Sequence, residues 1–181
     1  EANGQVADLS VIAYGTTSTT LDMDPSTPAV LDPSTTVTAD NDNNGTPDFE
    51  DAVRSIVFLG LKSYEPALID TINVVNSVPA DFQTVVFLSD GVPQDAPPNV
   101  PVALYTDEVA TLNGLGVTLR AFGVGAAADL PSLQIIDAGA ATVLTANELT
   151  TQLTAFNGGD PASPLPSIYR DTPGTQILEW T

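Results

Sequence analysis

The chain has 181 residues, 43% of them hydrophobic, with 4 Lys+Arg against 23 Asp+Glu and a formal net charge of −19. That length and apolar fraction support one domain with a true core, and the charge excludes nucleic acid and anionic membrane as partners, because the cations that would meet phosphate are missing. With no cysteine and no histidine, thiolate and imidazole metal sites, cysteine nucleophiles and Ser-His-Asp triads are excluded; an all-oxygen site for a hard cation is the metal chemistry left.

In chain order, "VADLSVIAYG" reads as a mostly apolar strand over Val6–Tyr14 that stops at Gly15. Residues 16–39 are Thr/Ser/Pro-rich and carry one or two short β segments, around Thr35–Thr38. Pro25, Pro28 and Pro33 exclude anything longer. Asp22, Asp24 and Asp32 read as solvated loop carboxylates among those prolines. Phe49, Ala52, Val53, Ile56 and Leu59 recur at helical spacing, and Pro66 suits the first turn of a second helix that ends before Pro79.

"QTVVFLSDG" is a buried strand halted at Asp90-Gly91, "PVALYTDEVATLNGLG" a helix closed by glycine, and "VTLRAFGVG" a second buried strand. A short helix in "LPSLQIIDAG" and a short strand "ATVL" follow. Thr145 and Glu148 then form a capping-box pattern at the start of a last helix. From Asn157 the chain turns Gly/Pro-rich and leads to one further strand candidate, "TQILEW" (Thr175–Trp180). Strands alternating with helices predict an α/β fold: a doubly wound, mostly parallel sheet with helices on both faces, whose ligands sit at the carboxyl ends of the strands. The expected division is a domain over residues 1–156 and a linker with a terminal strand over 157–181.

The most pointed chemistry is "DNDNNGTPDFED", Asp40 to Asp51, with four aspartates and three asparagines in twelve positions. Ligands at loop positions 1, 3, 5, 7, 9 and 12 give Asp40, Asp42, Asn44, Thr46 through its carbonyl, Asp48 and Asp51, with Gly45 at position 6 for the sharp turn. Calcium, which accepts six to eight oxygens, suits that set. Position 12 is Asp rather than Glu, Pro47 removes one N–H, and Thr/Pro-rich sequence stands where an entering helix would be. The expectation is therefore a lone calcium loop followed by one helix, against the plainer reading of a solvated acidic turn. Asn44-Gly45-Thr46 also matches a glycosylation sequon, read as chance. Glu50 and Asp51 diverge on a helix and offer no acid/base pair.

"VVFLSDG" followed by "VTLRAFGVG" resembles the von Willebrand factor A (vWA) domain family, bacterial extracellular type, over about Val6–Phe156. "LSVIAYG" is similar to its second strand and "GTPDFEDAV" to the loop that brings a threonine to the metal-ion-dependent adhesion site. The resemblance implies that Thr46 and Asp90 share a second metal site, taking Mg2+, and that the chain binds a protein or glycan ligand. The family's Asp-x-Ser-x-Ser string is missing; Asp8-Leu9-Ser10 is nearest, with Ile12 where the second serine would stand. The family's first strand lies between the segments matching Val6–Tyr14 and Gln83–Ser89. The fold is thus expected to be incomplete there, with a strand from outside residues 6–156 closing the sheet. An external chain, upstream or from a neighbouring subunit, is preferred to the tail strand.

Together these readings predict an extracellular or cell-surface, calcium-binding adhesion or interaction module rather than an enzyme. The alternative is a structural assembly subunit, completed by strand exchange, in which calcium is purely structural. An acidic, Lys-poor, Thr/Ser/Asn-rich composition favours the extracellular setting. No apolar run is long enough to span a membrane. The N-terminus does not read as a signal peptide, and the chain is expected to be mature or cut from something longer.

Overall fold

The computed structural model describes residues 8–27, 29–36, 38–57, 62–78, 80–94 and 104–155. The expected tail strand at Thr175–Trp180 and the helical positions Phe58 to Leu61 lie outside them.

Three parallel strands carry the domain: β5 (Thr84–Ser89), β6 (Thr118–Val124) and β7 (Ala141–Val143), in the order β5-β6-β7. Helices α3 (Thr106–Gly114) and α4 (Leu130–Ile136) connect them, and α5 (Ala146–Ala155) follows β7. Before β5 come α1 (Asp48–Arg54) and α2 (Tyr64–Ser77). This is the expected α/β arrangement, and among the described residues no strand pairs with the outer edge of β5.

The two sheet faces are filled by alternate residues, as the period of a strand requires. Phe87, Leu119 and Ala121 face one way into a core with Tyr64 and Leu68 of α2, Val109 and Leu112 of α3, and Leu133 and Ile136 of α4. Phe122, Val124 and Val143 face the other way, against Leu149 of α5. The last helix begins as its sequence predicts: Thr145 Oγ1 accepts the Glu148 N–H at 3.2 Å. The reciprocal bond shifts by one residue, since Glu148 Oε2 takes the Leu144 N–H at 2.7 Å instead of that of Thr145.

The expected single strand over Val6–Tyr14 is two short ones among the described residues. β1 (Asp8–Leu9) pairs antiparallel with β4 (Thr35–Thr36), whereas β2 (Ile12–Tyr14) pairs antiparallel with β3 (Ser18–Thr20). One stretch of chain serves two different partners, and the change of partner falls at Ser10-Val11. The Thr/Ser-rich segment supplies both partners, β3 by folding straight back and β4 from beyond the proline loop.

The β2–β3 hairpin rests on α2 through Ser18 and Asp70, and through the Ser63 N–H donated to the Gly15 carbonyl at 2.8 Å. It does not pair with β5. Instead the Tyr14 hydroxyl reaches across to donate to the Leu88 carbonyl at 2.6 Å, and its ring stacks on Phe87 with centroids 5.1 Å apart.

At the carboxyl end of β5, fully buried Tyr64 places its hydroxyl 2.8 Å from Ser89 Oγ and 3.0 Å from the Gly91 carbonyl. Desolvation pushes this phenol up from 10.0 to about 12, although the Ser89 bond pulls the other way. The unfolded chain therefore ionises first as pH rises, and this contribution to stability is lost between pH 10 and 12. Tyr64→Phe should cost about 1 kcal/mol at pH 7 and flatten the alkaline loss, as checked by urea unfolding at both ends of that range.

Candidate metal centre

The acidic loop is built by its own side chains. Asp40 Oδ1 and Oδ2 accept the N–H groups of Asn44 and Gly45, each at 3.0 Å. Asp42 accepts the Asn44 N–H at 3.1 Å and its side-chain amide at 3.0 Å. Gly45 lies at φ +88, a left-handed conformation that glycine adopts without a Cβ clash, so the turn at position 6 is where the spacing puts it. Asn43, at φ 57, is the other left-handed residue of the loop.

Asp48 opens α1 and is 1% exposed. Its carboxylate accepts the Asn41 N–H at 3.0 and 3.2 Å and the Asn41 amide at 2.9 Å, and its own N–H reaches the Ala39 carbonyl. Burial raises its pKa above the usual carboxylate value; the Asn41 N–H opposes this, and the charges of Asp24, Asp42 and Asp40 add to it.

One oxygen each from Asp40, Asp42 and Asp48 lie within 4.8 Å of one another. Calcium–oxygen bonds run about 2.3–2.6 Å, so ligands on opposite sides of one ion stand roughly 4.6–5.2 Å apart. The three carboxylates therefore fit around a single calcium-sized ion, and their hard oxygens suit it. Of the other expected ligands, Asp51 is not in that group. Its Oδ2 accepts the Asn44 amide at 2.7 Å, while Asn44 Oδ1 takes the Thr46 N–H at 2.7 Å. Asn44 thus ties the twelfth position and Thr46 to the ring of the loop.

The segment around Asp22, Asp24 and Asp32 is exposed over residues 25–27 and 29–31, as expected of a solvated loop, but its carboxylates are half-buried and hydrogen-bonded. Asp22 Oδ1 accepts the N–H groups of both Asp24 and Asp32 at 3.2 Å, Asp32 accepts the Thr27 hydroxyl at 2.8 Å, and Met23 between them is fully buried. The carboxylates staple the segment, and Asp24 comes close enough to Asp48 to act on its charge. Sequence spacing gives no sign of that approach.

Asp90 follows the carboxyl end of β5, as the strand-then-glycine pattern predicts, with its side chain 62% exposed. Its partner is Lys62, whose Nζ stands 3.1 Å from Asp90 Oδ1. The Lys62 stem passes so near Gly91 that a Cβ there would come within 3.2 Å of Lys62 Cε. No hydrogen bond or ion pair of the described residues joins Asp90 to Thr46. The scarcity of basic residues, four in all, is the signal that could have pointed to Lys62. Lys62→Met should change stability by less than about 1 kcal/mol, because the pair is solvated; thermal melting with and without 0.5 M salt checks this.

No protein-family model and no curated protein sequence matches the chain. Solved structures do. A von Willebrand factor type A protein from Catenulispora acidiphila superposes with a TM-score of 0.61 at 14% identity, over 81% of this chain and 32% of that one. Proximal thread matrix protein 1 from the mussel byssus gives 0.52 at 17% identity, over 83% and 35%. The form of that mussel protein with a zinc-occupied MIDAS motif gives 0.55 at 17%, over 82% and 35%. The fold is thus of the vWA type, and the chain spans about a third of the length of these structures.

Proposed function

We propose that this chain is a calcium-binding, vWA-like interaction module of a bacterial surface or secreted protein, acting by adhesion rather than catalysis. The observation that carries the reading is the convergence of Asp40, Asp42 and buried Asp48 within 4.8 Å at the start of α1. Three carboxylates at that distance repel one another, and neutral N–H donors offset only part of the repulsion. A divalent ion reverses its sign. Calcium is preferred to magnesium because the remaining donors of the loop are neutral oxygens on flexible backbone, which an irregular seven-oxygen shell tolerates and a strict octahedron does not.

In this reading calcium fixes the first turn of α1 and the loop that leads into it, and so stiffens that surface for a protein or glycan ligand. Asp90, already matched by Lys62, is left out of the calcium site. The fold of the mussel thread protein and the acidic, Lys-poor composition support the extracellular setting. Among the described residues no helix is long and apolar enough to cross a membrane.

The test is binding of the full chain to panels of immobilised extracellular proteins and glycans, in calcium and in chelator. Capture that requires calcium and disappears in Asp42→Ala, with the circular dichroism of the variant unchanged, supports the reading. Binding that is indifferent to both contradicts it.

A further inference from the structure

The loop that gathers the carboxylates also holds the pair Asn44-Gly45, one of two Asn-Gly pairs among the described residues; the other is Asn113-Gly114. An asparagine before glycine carries a latent reaction. The glycine nitrogen can attack the side-chain carbonyl carbon of the asparagine, because no Cβ stands in the way. A new N–Cγ bond closes a succinimide ring and the Cγ–Nδ2 bond breaks. The proton of the attacking nitrogen passes through solvent to the departing ammonia. Water then opens the ring, giving aspartate, or isoaspartate where it attacks the former backbone carbonyl. Nothing but water is consumed, so the freedom of the backbone decides which pair reacts.

The two pairs differ in that freedom, although both are exposed. Asn113-Gly114 closes α3, where the Asn113 carbonyl accepts the Gly116 N–H at 3.1 Å and the Leu112 carbonyl accepts the Val117 N–H at 3.2 Å. Ring closure there would rotate Gly114 out of a helix end that buried Leu112 and Val117 anchor to the core. Asn44-Gly45 lies in no helix or strand, and Gly45, at φ +88, has open space where a Cβ would stand. The Thr46 N–H, 2.7 Å from Asn44 Oδ1, draws electron density from the carbon to be attacked. What restrains the pair is a set of exposed hydrogen bonds. The Asn44 amide donates to Asp42 Oδ2 at 3.0 Å and Asp51 Oδ2 at 2.7 Å, and the Gly45 N–H donates to Asp40 Oδ2 at 3.0 Å. Water replaces such bonds at little net cost.

We propose that Asn44-Gly45 is a self-modification site, open in the metal-free loop and closed when calcium is bound. The closing rests on the calcium reading given above. With Asn44 Oδ1 and the carboxylates of Asp40 and Asp42 gathered on one ion, the asparagine side chain cannot swing onto the Gly45 nitrogen without giving up ligation. Either product loses the amide that ties Asp42 to Asp51. Isoaspartate also lengthens the main chain by one carbon before Gly45, which takes Thr46 and Asp48 out of the ligand spacing. The isoaspartate fraction of a chain left without calcium therefore no longer takes up the ion when it returns.

The test is peptide mass spectrometry of the full chain after incubation at mildly alkaline pH in chelator or in millimolar calcium. Calorimetric calcium uptake is measured on the same samples. In chelator Asn44 should exchange ammonia for water at least about tenfold faster than Asn113, and calcium should slow Asn44 by about tenfold while leaving Asn113 unchanged. Uptake should fall in step with isoaspartate at position 44. Asn44→Ser, which cannot form the ring, should keep whatever uptake it starts with. Asn44 reacting no faster than Asn113 in chelator would overturn the proposal. So would equal Asn44 rates in calcium and chelator for a chain whose calorimetry shows the ion bound. A fresh chain that binds no calcium would instead remove the function proposed above together with the closing, and the chelator rates would then decide the modification site alone.

Discussion

Chelating calcium should lower the melting temperature of the chain by about 5–10 °C relative to 1 mM calcium. A ligand present at a hundred times its dissociation constant stabilises by about 2.7 kcal/mol, and each kcal/mol moves the midpoint of a domain this size by roughly 2–4 °C. The physical source is local. Asp40, Asp42 and Asp48 present oxygens within 4.8 Å of one another, and without an ion only N–H groups of Asn41, Asn44 and Gly45 answer them. Asp40→Ala and Asp42→Ala should each melt at the same temperature in calcium and in chelator. Scanning calorimetry of the three proteins in both buffers gives the comparison.

Asp48→Asn should move the two states in opposite directions. Asp48 is 1% exposed, and its raised pKa means that the folded chain prefers the protonated form. In the calcium-free protein at pH 7 the buried charge therefore opposes folding. That penalty fades as pH falls through the folded pKa and is gone below the unfolded value of 3.8. Asparagine has nearly the same shape and no charge, so where relief of the buried charge outweighs the carboxylate oxygen lost to Asn41 the calcium-free variant should melt higher than the native chain at pH 7 and no higher at pH 3.5. In calcium the order reverses, because the variant loses a charged ligand and about tenfold or more in affinity. A variant less stable than the native chain in chelator at pH 7 would mean that Asp48 serves the fold as a carboxylate and not the ion.

The acidic triad of the loop was legible because its information is local. Asp40, Asp42, Gly45 and Asp48 stand within nine residues, and the turn that gathers them takes two left-handed residues of the same stretch, Asn43 at φ 57 and Gly45 at φ +88. The parallel strands were legible for a related reason: "TVVFLS" and "TLRAFGV" are apolar runs that stop at glycine-bearing turns, and β5 and β6 end there. What the sequence hid depends on partners far away in the chain. The break between β1 and β2 follows from two different pairing partners, and no property of Ser10 or Val11 announces it. Asp24 acts on Asp48 from 24 positions away. Lys62 reaches Asp90 across an intervening helix and strand. Asp22 and Asp32 read as solvated because their partners are backbone N–H groups, which every residue but proline carries.

The central claim is that residues 40–51 bind one calcium ion, and calorimetric titration of the metal-free chain with calcium in 0.15 M salt tests it most directly. The account predicts one ion per chain, weaker uptake by Asp48→Asn, and none by Asp40→Ala or Asp42→Ala. No binding at millimolar calcium, or binding that Asp40→Ala and Asp42→Ala leave intact, would contradict it.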